Sequence, residues 1–245
     1  MSAKNENRIV LAMTTVMLLL AVPYALVKTG VWKSAVSDAS DASNELPMRD
    51  PDDLPIIGEL DDFSMTNQQG EIVCRDDLLG KVWLADVIFT RCPGPCAMMT
   101  TRIADLQATL PEEWPVKFIS LTADTEYDTP QVLRSYAESY HAEPQRWSFL
   151  HSTKPAIVDL AVKNLKLIVL DKEQEQQSAN DLFIHSTTMA LVDKHGRLRG
   201  SFESIPMVVS EDDSFADGQG STIDHWEVEL KPRLLSAIER LIAED

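Results

Sequence analysis

The stretch "GKVWLADVIFTRCPGPCAMMTTRIADLQATL", residues 80–110, decides how this chain is read. Its first half, "KVWLADVIFT", is almost unbroken apolar sequence, as a strand buried on both faces would be. Its second half, "CAMMTTRIADLQATL", spaces its apolar residues with helical period. The junction holds Cys92 and Cys96, two of the chain's three cysteines, with Pro93, Gly94 and Pro95 between them. A thiol at a helix N-terminus faces unpaired backbone N–H groups and the positive end of the dipole, and both favour the thiolate. Two such thiolates facing one point close a disulfide or bind a soft ion. The spacer, stiffened by its prolines, makes a larger loop than a two-residue one and leaves room for an ion between the sulfurs. A disulfide that merely staples the turn is the structural alternative.

Outward from this turn the chain alternates strand and helix patterns. "FSMTNQQGEIVC", residues 63–74, reads as a hairpin turning at Gln68, Gln69 and Gly70. After the helix expected over 96–110 come the strand "VKFISLTA" and the helix "DTPQVLRSYAESY", in which Thr129 caps and Pro130 takes the first helical position. "WSFLH" and "TTMALVD" read as strands flanking the helix "PAIVDLAVKNL". "DKHGRL" turns at Gly196, "LRGSFE" completes a hairpin, and residues 226–243 close the chain as an amphipathic helix. A βαβ core, a β-hairpin and a terminal helix, with a cysteine pair after the first core strand, define an α/β, thioredoxin-like plan.

Before this domain the chain has a different character. Residues 9–27, "IVLAMTTVMLLLAVPYALV", carry no charge and match the roughly 20 residues a helix needs to cross a bilayer. They are expected to form an uncleaved N-terminal transmembrane helix, with residues 1–8 in the cytoplasm. Residues 28–54 follow as a flexible acidic linker, rich in Ser, Ala, Asp and Pro without apolar period. Its disordered part gives the domain at 55–245 a reach of about 25 Å. Acidic residues outnumber basic ones 39 to 22, a net charge of −17 that argues against nucleic acid as a partner.

Two thiolates leave a metal site short of donors. His141 at a helix end, His195 in a turn and His225 in a polar loop read as solvated, while His151 ends a strand. His185, in "ANDLFIHSTTMALVDKHG", stands just before the strand "TTMALVD". In a thioredoxin-like sheet that approach packs against the cysteine pair, so His185 is the third candidate ligand. Met98 and Met99 read as core residues at helical spacing, and Cys74 as a small buried hydrophobe. Structural zinc would require a fourth ligand, and none suggests itself. Phe89, three residues before Cys92, stands where a peroxiredoxin would carry threonine.

The stretches "GKVWLADVIFTRCPGPC", "FISLTADTEYDTPQVLRSYA", "WSFLHS" and "HSTTMALVDKHGRLRG" resemble, in order and spacing, those of the Sco (SenC) family. That resemblance spans roughly residues 55–205 and implies a membrane-anchored copper protein that helps assemble cytochrome c oxidase. It matches Cys92 and Cys96 to the copper-binding thiols and His185 to the copper-binding imidazole. It also implies a single-pass protein of a bacterial inner membrane, with a monomeric domain in the periplasm. The partner would be the apo copper-centre subunit of the oxidase or another cuproprotein client. The alternative is a thiol–disulfide oxidoreductase that keeps the client's copper-ligand cysteines reduced. Two thiolates and an imidazole suit Cu(I), and a Cu(II) form adds a further weak ligand. Ala97 stands where the family has proline, Ile184 where it has aspartate, and residues 204–225 depart from the usual pattern.

Overall fold

The structure is a computed structural model that describes residues 54–92, 94–171, 183–185, 187–205 and 225–244. The expected anchor at 9–27 and the linker up to residue 53 lie outside the described residues, as does most of the unusual 204–225 segment. Among the described residues no helix is long and apolar enough to cross a membrane.

Short strands Gly58–Glu59 (β1), Ser64–Thr66 (β2) and Ile72–Cys74 (β3) precede one helical turn, Arg75–Leu78 (α1). Val82–Ile88 (β4) leads into Pro95–Thr109 (α2), then Val116–Thr122 (β5), Pro130–Ser139 (α3) and Trp147–Leu150 (β6). Lys154–Val158 (α4) continues as a wider π-helical turn, Asp159–Asn164. Val169–Asp171 (β7), Phe183–His185 (β8), Thr188–Val192 (β9) and Arg197–Glu203 (β10) follow. Lys231–Ala243 (α5) closes the chain behind a second π-helical turn, Trp226–Leu230.

Six strands form the main sheet in the order β1-β10-β9-β4-β5-β6. β4, β5 and β6 run parallel, with Val82 opposite Val116 and Phe118 opposite Trp147. β9 returns antiparallel to β4, and β10 to β9. All seven residues of β4 are buried, because helices cover both faces of the sheet. Val82, Leu84 and Ile88 join Ile103 and Leu106 of α2 and Leu234 and Ile238 of α5 in one core. Trp83, Ala85 and Val87 face the opposite core, with Ile157, Leu160 and Leu165. Successive strand residues point to opposite faces, so the apolar run fills two cores at once. The thioredoxin-like plan is therefore present, with the cysteine turn at the carboxyl end of the central strand.

The hairpin of β2 and β3 turns as expected, with Gly70 in the left-handed region at φ +84°. The Asn67 side chain accepts from the Gln69 and Glu71 N–H groups, each at 2.9 Å. The hairpin lies along the outer edge of β6. Thr66 and His151 exchange backbone hydrogen bonds of 2.9 and 2.8 Å. The Gln68 amide acts as a substitute peptide: it donates to the Trp147 carbonyl and accepts from the Phe149 N–H, both at 2.8 Å.

Several details differ from the sequence reading. Leu54, assigned to the linker, is buried, and its carbonyl accepts 2.9 and 2.6 Å hydrogen bonds from Arg199. Met99 is buried, but Met98 is 46% exposed, since neighbouring helical positions differ by about 100° and only one can face the core. Cys74 is half-buried rather than buried; it precedes α1, and its N–H donates to the Asp77 carboxylate at 2.8 Å. His185, read as lying just before a strand, itself ends a short strand, Phe183–His185.

Candidate metal centre

The turn after β4 is built to present two sulfurs. Phe89 is buried and its carbonyl accepts from the Cys92 N–H at 3.1 Å, which folds the chain back towards α2. Gly94 precedes the helix at φ −154°, ψ −83°, Pro95 takes its first turn, and no side chain caps that end. Cys96 is 1% exposed and receives the Phe89 N–H on its Sγ at 3.4 Å, while Cys92 is half-buried.

Neither cysteine is in a disulfide, and the two thiols share a hydrogen bond. That bond, then burial and the charge of Cys92, push the Cys96 thiol far above the usual thiol range, against the pull of the Phe89 N–H. At Cys96 the expectation that the helix end favours the thiolate is thus corrected: the inner sulfur holds its proton. The charge of Asp86, fully buried within β4, adds to the effect on Cys96. Asp86 was not singled out in the sequence, although an acid inside the apolar run "VWLADVIF" is a visible anomaly.

Two further acids come from the loop between β5 and α3. Asp128 is fully buried and accepts from the Thr90 N–H at 3.1 Å, the Thr90 hydroxyl at 2.5 Å and the Thr122 hydroxyl at 2.5 Å. Burial holds its carboxyl above the usual range in spite of these bonds. Asp124 accepts from Nε and Nη2 of Arg91 at 3.2 and 2.6 Å, and the guanidinium lies 4.1 Å over the Tyr127 ring. The Asp124 hydrogen bond, partly opposed by burial, raises the Arg91 pKa. On the inner side, Thr100 donates to the Cys96 carbonyl at 2.8 Å and lies 2.9 Å from the Tyr136 hydroxyl, whose pKa burial raises.

The backbone of His185 pairs with Val169, three residues before β9 begins; its imidazole falls outside the described residues. Among the described residues no three His, Cys, Asp or Glu side chains form a metal cluster. His141, His195 and His225 are exposed, as expected, and His151 is half-buried at the end of β6. The structure brings the two cysteines together.

The SCO1/SenC family pattern matches residues 57–208. The chain belongs to the SCO1/SenC family. A SCO1 protein homolog of Bacillus subtilis (strain 168) is 35% identical over 153 residues, covering 62% of this chain and 77% of that protein. The solved structure of BsSco, a Sco family cytochrome c oxidase assembly protein in which a disulfide switch was identified, is 32% identical. It has a TM-score of 0.53 and covers 62% of this chain and 86% of its own. ScoI of Bradyrhizobium japonicum, solved with copper bound, shares the SCO1/SenC fold at 22% identity and a TM-score of 0.53, over 61% of this chain and 91% of its own.

Proposed function

We propose that this SCO1/SenC protein is a membrane-anchored copper metallochaperone that binds copper through Cys92, Cys96 and His185 and supports assembly of the cytochrome c oxidase copper centre. The observation that carries the reading is the turn at the carboxyl end of β4, where Phe89 accepts from the Cys92 N–H, donates to the Cys96 sulfur, and so brings the two thiols within hydrogen-bonding reach. Sulfurs close enough to share a proton are close enough to share a soft ion. The register of β9 on β4, Trp83 opposite Val192 and Ala85 opposite Ala190, runs the chain before β9 towards the cysteine end of the sheet. That direction supports His185 as the third donor. The copper-bound relative and the oxidase-assembly relative supply the cargo and the client class.

Copper is cargo here. Loading expels the protons of both thiols, and delivery returns them as the client's own ligands take over the ion in steps. The half-buried Cys92 is the sulfur a client reaches first, while Cys96 is held inside. The client is an apo copper-centre subunit or another cuproprotein, and the site of action is the periplasmic face of a bacterial inner membrane.

The same pair supports a second reading, thiol–disulfide exchange. The Cys92 thiolate attacks a client disulfide and releases one client thiol; Cys96 then attacks the mixed disulfide and releases the other. Two electrons and the two protein protons pass to the client.

One experiment separates the readings. The reduced full chain is expected to retain one copper ion through gel filtration, and Cys92→Ser or Cys96→Ser to retain almost none. His185→Ala should weaken copper retention strongly yet leave the Cys92–Cys96 disulfide able to form and be reduced. A full equivalent of copper on either serine variant would show the ligands to be misassigned. Normal oxidase assembly in cells carrying His185→Ala would hand the role to the reductase.

A further inference from the structure

The two cysteines are positioned by different means. Cys96 is held by its helix, by burial and by the Phe89 N–H. Cys92 sits on a turn between β4 and α2, so its location depends on what fastens residues 89–92. Thr90, two positions before Cys92, commits both its backbone N–H and its hydroxyl to the Asp128 carboxylate. The second Asp128 oxygen also receives the Thr122 hydroxyl from the end of β5, and Ala123 donates to the Ile88 carbonyl at 2.8 Å. The Asp128 N–H in turn donates to the Asp124 carbonyl at 2.9 Å, and the Asp124 carboxylate holds Arg91. Three donors converge on one buried acid, and two of them belong to a single residue of the cysteine turn.

We infer that Asp128 is a positioning residue for the dithiol: by fixing both donors of Thr90 it sets where Cys92 stands relative to Cys96. The inference rests on the reading that Cys92 and Cys96 are the working pair. Asp128 touches neither sulfur. Its effect passes through the backbone from Thr90 to Cys92. Disulfide formation and two-sulfur coordination both depend on the effective concentration of one thiol at the other, and loosening a turn lowers that concentration steeply. A protein in which Asp128 serves only stability would lose melting temperature and nothing else. One in which it positions Cys92 shifts the dithiol–disulfide equilibrium as well.

The test is a glutathione redox titration of the full chain, in which the two protein thiols become a disulfide while glutathione disulfide takes their electrons and protons as two thiols. Asp128→Asn keeps the shape but turns an amide donor towards donors. It should lower the equilibrium constant for the Cys92–Cys96 disulfide about tenfold, or about 30 mV, and reduce copper retained through gel filtration. Thr90→Val removes the hydroxyl with little change of shape; it should shift the same equilibrium, and add almost nothing in the Asp128→Asn background. Asp105→Asn is the control, since Asp105 holds Lys231 and Trp226 of the C-terminal segment and stays clear of the turn. It should lower the melting temperature and leave the redox equilibrium unchanged. If Asp128→Asn and Thr90→Val melt lower yet match the native redox equilibrium and copper retention, the positioning role is overturned. If the native chain itself neither holds copper nor forms the disulfide, the fault lies in the reading of the pair.

Discussion

Arg199 is the residue on which the ends of the domain converge. It is buried in β10, and its guanidinium donates to the Leu54 carbonyl, to Asp193 at 3.0 Å and to both oxygens of Glu244 at 2.5 and 3.0 Å. One cation thereby ties the first residue of the domain, the β9–β10 turn and the chain's last turn. Arg199→Ala would leave the buried Asp193 carboxylate short of a partner, and we expect a loss of about 3 kcal/mol in urea unfolding. A loss below about 1 kcal/mol would show that Arg197, 2.8 Å from the same oxygen, suffices alone. The same cluster sets an acid limit. Burial raises the Asp193 pKa, but hydrogen bonds from Arg197, Arg199 and the His195 N–H outweigh it and hold the carboxyl below its usual range. Glu244 is lowered chiefly by its hydrogen bond to Arg199. A carboxylate lowered in the folded state stabilises the fold above its unfolded pKa, about 3.9 for Asp and 4.3 for Glu, and that contribution is lost as pH falls towards the folded value. Melting temperature should therefore drop steeply below pH 4, with a shallower slope in Asp193→Asn. Equal slopes would remove Asp193 from the account.

The elements that were legible are those whose pattern is local. β4 announces itself by seven consecutive buried residues, and α3 by Thr129, which accepts the Val132 N–H at 3.4 Å, followed by Pro130. β7 and β8 escaped notice because three-residue strands on either side of the polar run at 172–182 have too little sequence to show a period. The cysteines were legible because a rare residue recurred at a structural junction. Asp128 was not, since its partner Thr90 lies 38 positions away and only the parallel pairing of β4 with β5 brings them together. The terminal helix shows both sides of this. Its amphipathic stripe was plain, yet regular α-helix begins at Lys231, because the wider turn at Trp226–Leu230 rolls Trp226 into the core beside α2. There the indole donates to Asp105 at 2.9 Å beneath Arg102, and Lys231 pairs with the same carboxylate. Trp226→Ala should cost about 3–5 kcal/mol in urea unfolding. Val228→Ala, at a side chain 70% exposed in the same turn, should cost almost nothing. Similar losses from both would mean that the turn's winding, and not the buried indole, docks the helix.

For the whole molecule the sheet's outer strands matter most. One border, β1, is only two residues long, and the other, β6, is covered by the first hairpin. A bare strand of Trp147, Ser148, Phe149 and Leu150 is a template on which another chain can lay its own backbone. Replacing Gln68 by alanine would strip the Phe149 N–H and the Trp147 carbonyl of their partners, at about 1–3 kcal/mol in stability. It would also alter behaviour in company. With a net charge of −17, two copies repel at low ionic strength, and salt shortens that repulsion to about 10 Å at 0.1 M. Gln68→Ala should thus scatter light as single molecules in dilute buffer and as growing assemblies once salt is added, while the native chain stays unchanged across the series. If the variant remained single at every salt concentration, the backbone pairing of Thr66 with His151 would be barrier enough. On this account the Gln68 amide does for the sheet's border what a neighbouring strand would do, and keeps copies apart when their mutual charge is masked.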